Sequence, residues 1–270
     1  MKKILVFTDL DGTLLDHQNY DWTAAQPALH RLAQLDFPLI FNSSKTLAEL
    51  IPFSQELSNH QPMVCENGNV AAIPEHYFEQ TDSNHSSYKT QLFGIDYQTI
   101  ITILQQLRSE YGFQFSGFND LGITGVMKHT SLNHEKNALA CQRLCSEPLL
   151  WQGNDETLEI FKIKLEQQGL SLTKGGRFYH VMSPINKGKT MAWLLAQFQM
   201  HQPKIEWISV ALGDGPNDLQ MLEAADQPVL IRNPHSAPPS VSHIGNIITP
   251  LPPGPSGWNE AVNQIIDLYL

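Results

Sequence analysis

The chain predicts an α/β fold built on a parallel sheet, with a smaller α+β unit inserted between the two halves of that sheet. Three observations carry this. Short, wholly apolar runs alternate with helical stretches over the first quarter of the chain. The same alternation returns near the end. Between them the texture changes to mixed polar strands and helices. Buried strands that alternate with helices imply parallel pairing through right-handed crossovers.

In order, Ile4–Thr8 reads as a fully buried strand, and Ala24–Leu35 as a helix with Leu29, Leu32, Ala33 and Leu35 on one face. Pro38–Asn42 is a second strand and Leu47–Leu57 a second helix. Met63–Glu66 is a third strand, ended by the turn signal Asn67-Gly68 before Val70–Ile73. A polar crossing segment follows at Thr81–Ser87. The insertion, residues 83–185, should hold helices at Tyr97–Tyr111 and Leu132–Leu144. Its strands should lie at Leu149–Gln152, Leu170–Thr173 and Phe178–Met182. Residues 1–82 and 186–270 form the core. Lys187–Gln199 is a helix, Trp207–Leu212 a buried strand and Pro216–Ala224 a short helix opened by proline. Pro228–Ile231 and Ile244–Ile248 suggest further strands, and Trp258–Leu268 a closing helix.

At 270 residues with 41% hydrophobic content, the chain can bury a sizeable core. Its net charge of −10 disfavours nucleic acid or an anionic membrane as partner. A small anionic substrate remains compatible, because a bound cation and a few local lysines reverse the field inside a site. Cys65, Cys141 and Cys145 lack zinc or disulfide spacing, which suits reduced thiols in the cytoplasm. The apolar run at Ile4–Phe7 is too short for a secretion signal, and no stretch approaches the length of a membrane span. The oligomeric state stays open.

Four segments carry chemistry. Asp9-Leu10-Asp11-Gly12-Thr13 sets two carboxylates just past the first strand, at the sheet edge where open α/β folds bind ligands. One acid can attack an electrophile while the other handles the proton. The plain alternative is an acidic turn. Asn42-Ser43-Ser44-Lys45-Thr46 opens a helix with hydroxyls, which suits a phosphate or simply an N-cap. Asn186-Lys187-Gly188-Lys189 places Lys187 against the helix dipole, where a bound phosphate would justify it; Lys189 reads as an exposed side chain. Leu212 through Asp218 delivers Asp214 to the same edge, with Asn217 and Asp218 within one turn. Asp9, Asp11 and Asp214 together supply the oxygen donors magnesium prefers.

In this order, the four segments resemble the haloacid dehalogenase superfamily of aspartate-nucleophile phosphohydrolases. The resemblance implies a Rossmann-like parallel sheet with helices on both faces and an inserted α+β cap. By it, Asp9 would form an aspartyl-phosphate, and Asp11 would act as general acid and then base. Ser43 and Lys187 would hold the phosphoryl oxygens, and Thr13 would brace the loop. Mg2+ would sit on the Asp9 carboxylate, the Asp11 carbonyl and Asp214, with Asn217 and Asp218 orienting that shell.

Further stretches resemble the mannosyl-3-phosphoglycerate phosphatase family. They are Asn42-Ser43-Ser44-Lys45-Thr46, Glu66-Asn67-Gly68, Gly175 through His180, Gly213 through Asp218, and Pro255-Ser256-Gly257-Trp258. This implies a small anionic phosphosugar as substrate, with Ser44, Glu66, Asn67, Arg177 and His180 as candidate substrate contacts. Arg177 would be a fork for the glycerate carboxylate. The alternatives left open are glucosyl-3-phosphoglycerate, another sugar phosphate, a phosphomutase and a phosphosugar sensor.

Overall fold

The computed structural model describes residues 1–79, 87–130, 132–175, 177–235 and 237–270. The core runs β1 (Lys2–Thr8), α1 (Gln26–Gln34), β2 (Leu39–Asn42), α2 (Leu47–Glu56), β3 (Met63–Cys65), β4 (Val70–Pro74) and β5 (Tyr88–Leu92). The chain continues through α3 (Tyr97–Tyr111), β6 (Phe115–Gly117), α4 (Phe118–Met127), α5 (His134–Ala140), β7 (Ser146–Trp151), α6 (Asp155–Glu166), β8 (Ser171–Gly175) and β9 (Phe178–Met182). It returns to the core with α7 (Lys187–His201), β10 (Glu206–Gly213), α8 (Leu219–Ala224), β11 (Gln227–Leu230) and α9 (Gly254–Tyr269).

The described residues form a seven-stranded sheet, β11-β10-β1-β2-β3-β4-β5, and a four-stranded one, β6-β7-β9-β8. β11 through β3 are parallel, as expected. β1 shows why its apolar run is unbroken. Side chains alternate across a strand. Ile4 and Val6 pack with Trp258 and Ala261 of α9, while Leu5 and Phe7 pack with Met191 and Phe198 of α7. Both faces are therefore buried under helices, which removes any polar alternation.

The far edge departs from the parallel pattern: β3, β4 and β5 pair antiparallel. The reversal is local. Glu66, Asn67 and Gly68 all carry positive φ (49°, 56° and 94°), which turns the chain back at once. β5 lies within the span expected for the insertion yet extends the larger sheet, so the smaller sheet's chain begins only past Leu92. Most of the expected polar crossing segment, Thr81–Ser87, lies outside the described residues.

Other differences have visible causes. Ile244–Ile248 forms no strand; only Ile248 bridges to Val229, because Gly245 and left-handed Asn246 interrupt the extended run. The helix expected over Leu132–Leu144 is confined to α5, because the N–H groups of Leu144 and Cys145 are donated to Glu66 instead. β6, α4 and α6 have no counterpart among the elements the sequence pattern predicts.

Register places the site. Thr8 pairs with Leu212 on one side and Phe41 on the other, so Asp9, Ser43 and Asp214 leave the sheet along one line. The smaller sheet packs its α3 and α6 face through Leu149, Phe161, Leu165 and Val181. Between α3 and α4 Glu147 is buried, accepting from the Tyr97 hydroxyl at 2.9 Å and the Asn119 N–H at 2.8 Å.

Burial pushes Glu147 up from an ordinary 4.5 to about 7, although those donors and Arg143 pull the other way. Between these values the folded chain holds a proton that the unfolded chain has released. Glu147 therefore lowers stability as pH rises through that window, and the loss is complete above about 7. Glu147→Gln should gain on wild type by up to about 3 kcal/mol between pH 5 and pH 8, read by urea denaturation. An unchanging difference would mean that Glu147 does not titrate there.

Candidate active site

Lys187, the first residue of α7, is wholly buried. Its Nζ stands 2.6 Å from Asp9 Oδ1 and 2.6 Å from Asp218 Oδ1. Burial opposes its charge, but Asp218 and Asp9 override that and hold the ammonium above the ordinary lysine range. Asp9 is pushed upward by burial and by its neighbours Asp218 and Asp214, against the pull of Lys187. Asp214 is raised by burial and by Asp218, with Asn233 and Thr13 opposing. One oxygen from each of Asp9, Asp214 and Asp218 falls within 4.8 Å of the others.

Three carboxylates thus crowd around one ammonium, and ionising all three would leave an excess of two negative charges in a buried space. Oxygen donors with that imbalance fit a hard divalent cation. The donors divide unevenly. Asp218 Oδ2 already accepts from the N–H groups of Asp214 (3.1 Å) and Gly215 (3.0 Å), and its Oδ1 holds Lys187. Asp218 therefore stands behind the other two. Asp214 is braced by Thr13 Oγ1 at 3.1 Å and Asn233 Nδ2 at 2.6 Å.

Asp11, two residues from Asp9, lies 2.7 Å from Lys45 Nζ through one oxygen; its Oδ1 is buried with no partner among the described residues. Gly12 makes the turn possible. Its φ is +89°, and a Cβ there would lie 2.7 Å from Asp214 Oδ2. On the next strand end Ser43 is buried, and its Oγ accepts from the Lys45 N–H at 3.3 Å. Helix capping does not explain it. Thr46 caps α2, with Glu49 returning the bond to the Thr46 N–H at 2.9 Å.

Two of the expected contacts, Glu66 and Asn217, are engaged elsewhere. Glu66 is 1% exposed and is not free for substrate. Its carboxylate accepts from Leu144 N–H (2.8 Å), Cys145 N–H (3.0 Å) and Ser146 Oγ (2.6 Å), fastening the insertion to the core. Exposed Asn217 donates to Asn67 Oδ1 at 3.2 Å instead of reaching the acidic cluster. Arg177 is exposed on the β8–β9 turn and donates to the His129 carbonyl; its neighbour Gly176 lies outside the described residues. His180 is half-buried on β9. Burial, with the charge of Arg143, pushes it down to about 4, so it is a neutral imidazole at pH 7. The Ser44 carbonyl accepts from Arg143 at 3.2 Å.

The sequence alone assigns no role to Lys45, Asn233 or Arg143. Asn233 follows β11, the neighbour of β10, so the strand-end rule that exposes Asp9 also reaches it. Lys45 lies inside the hydroxyl-rich segment Asn42-Ser43-Ser44-Lys45-Thr46. Arg143 had no sequence signal, because its partners come from the fold.

The profile of the haloacid dehalogenase-like hydrolases matches residues 6–250. A glucosyl-3-phosphoglycerate/mannosyl-3-phosphoglycerate phosphatase from Methanococcoides burtonii is 38% identical over 274 residues, covering 98% of this chain and 97% of that protein. A protein of the same description from Persephonella marina is 32% identical, with the same coverage. Among solved structures, a haloacid dehalogenase-like hydrolase from Bacteroides thetaiotaomicron superposes with a TM-score of 0.67 at 17% identity, covering 98% of this chain and 100% of that one. The chain belongs to the haloacid dehalogenase-like hydrolases. Within them it is a phosphatase of the type represented by the Methanococcoides and Persephonella proteins.

Gly12→Ala should place a side chain against Asp214 in a left-handed turn. We expect a loss of about 1–2 kcal/mol in urea denaturation and of about 10²-fold in phosphate release. Wild-type kinetics in the variant would show that Asp214 does not need its present position.

Proposed function

We propose that this protein is a Mg2+-dependent phosphatase that hydrolyses mannosyl-3-phosphoglycerate to mannosylglycerate and phosphate, and accepts the glucosyl analogue. The observation that carries the chemistry is Asp9 at the end of β1, paired with Lys187 inside an acidic cluster. The substrate rests on the relatives, each described as acting on both phosphoglycerates.

Asp9 attacks phosphorus and forms an aspartyl-phosphate as the ester oxygen departs. Asp11 gives that oxygen its proton, then takes one from the water that hydrolyses the intermediate. Lys187 and Ser43 hold the phosphoryl oxygens, and Lys187 offsets the repulsion between an anionic nucleophile and an anionic ester. Asp9, Asp214 and the Asp11 carbonyl would hold Mg2+, which neutralises charge on the transferring group when bound. His180 and Asn67, with Ser44, remain candidates for the sugar and glycerate oxygens, and Arg177 for the carboxylate. The free thiols of Cys65, Cys141 and Cys145 agree with a cytoplasmic site of action. Among the described residues no helix is long and apolar enough to cross a membrane. A small phosphosugar, and neither nucleic acid nor membrane, is the partner in this reading.

The test is phosphate release from mannosyl- and glucosyl-3-phosphoglycerate and a panel of simple sugar phosphates, with and without Mg2+. Strong metal-dependent preference for the two phosphoglycerates is expected, with Asp9→Asn lowering turnover by at least about 10⁴-fold. Equal turnover across the panel would reduce the assignment to a broad sugar phosphatase. An active Asp9→Asn would remove Asp9 as nucleophile.

A further inference from the structure

We propose that Arg143, in the insertion, is a positioning residue for the phosphoryl-binding loop Ser43–Lys45. The inference rests on the reading of Ser43 as a phosphoryl ligand. The Arg143 side chain is 7% exposed, and its ion pair with Glu49 is long, at 3.9 Å. Its fork is directed mostly at backbone. Nε donates to the Ala140 carbonyl at 2.8 Å and Nη1 to the Ser44 carbonyl at 3.2 Å, with Ser146 Oγ at 3.5 Å.

The Ser44 carbonyl matters because a peptide unit is planar. Its oxygen and the Lys45 N–H lie in one plane, and that N–H donates to Ser43 Oγ. Fixing the oxygen orients the donor that aims the Ser43 hydroxyl. The loop is also held through Glu66 and Asn67. Glu66 N–H donates to the Lys45 carbonyl and Asn67 N–H to the Ser43 carbonyl, each at 3.0 Å. The Glu66 carboxylate in turn grips Leu144, Cys145 and Ser146. Thr46 Oγ1 adds a bond to the Leu139 carbonyl at 3.0 Å. Residues 139–146 thus clasp both sides of the loop, and the insertion's seat and the loop's geometry are one arrangement. A substrate that makes no contact with the insertion still depends on Arg143.

The probe is inorganic phosphate as competitive inhibitor, with kinetics on mannosyl-3-phosphoglycerate and on the small ester p-nitrophenyl phosphate. Arg143→Gln should weaken phosphate inhibition and lower kcat/KM for both substrates by similar factors, about tenfold. Arg143→Lys keeps the charge but loses the fork, and should recover only part of the loss. It also serves as the milder variant if Arg143→Gln folds poorly. Unchanged phosphate inhibition in a folded variant overturns the proposal. If only the phosphoglycerate suffers, Arg143 touches substrate; if only the thermal midpoint falls, its role is structural. A wild-type protein that neither binds phosphate nor hydrolyses either ester would overturn the reading of Ser43 itself.

Discussion

Everything at the sheet edge is organised by one ammonium with no exposure to water. Bringing a lysine charge into a protein interior is costly unless partners replace its hydration, and removing one partner of such a pair costs about 3–5 kcal/mol. Lys187 has two, Asp9 and Asp218. Satisfying it pins the start of α7 to the end of β1 and to the turn after β10, so three distant segments must meet. The closeness of α7 to its neighbours is visible in the glycines. A Cβ on Gly188 would lie 2.2 Å from the Gln220 carbonyl oxygen, and one on Gly68 would lie 2.5 Å from the Asn186 carbonyl oxygen. Asn42 secures the arrangement from β2, donating to the Lys187 carbonyl at 3.2 Å.

The opposite side of β1 supports the same point. Trp258 is fully buried in α9, and its Nε1 donates to Thr8 Oγ1 at 3.0 Å. That hydroxyl in turn donates to the Asp9 carbonyl at 2.7 Å. The closing helix therefore reaches the backbone of the proposed nucleophile through one threonine. Asp9 is fixed by its side chain from one face of the sheet and by its carbonyl from the other, the preorganisation that charged chemistry requires.

Much of this was legible in the chain because buried parallel strands leave a plain trace, and polar residues just past them are few. α3 and β9 fall on the residues predicted for them. Asp96 caps α3, and left-handed Gly112 ends it. What escaped had weaker signals. β5 is an exposed edge strand of polar residues, and α4 is broken at Gly122. α6 buries Leu158, Phe161 and Leu165 at helical spacing, but Ile160 and Ile163 face outward and blur the pattern. Glu66 was misread for a different reason. An acidic residue beside a turn looks free in sequence, and only the tertiary fold supplies the two N–H groups and the hydroxyl that occupy it.

The pairing of β1 with β10 also sets a timetable. Lys187 lies 178 residues after Asp9. At ordinary rates of synthesis, roughly 10 to 40 s pass between the two. Through that interval β1 can dock on β2 while its other edge stays open, and Asp9 is without its counter-charge. The smaller sheet takes its strands from one continuous stretch of chain and can close on its own contacts earlier. The emerging protein would then hold its smaller sheet before Asp9 meets Lys187, and the charge pairing at the edge of the larger sheet would be among the last contacts it acquires.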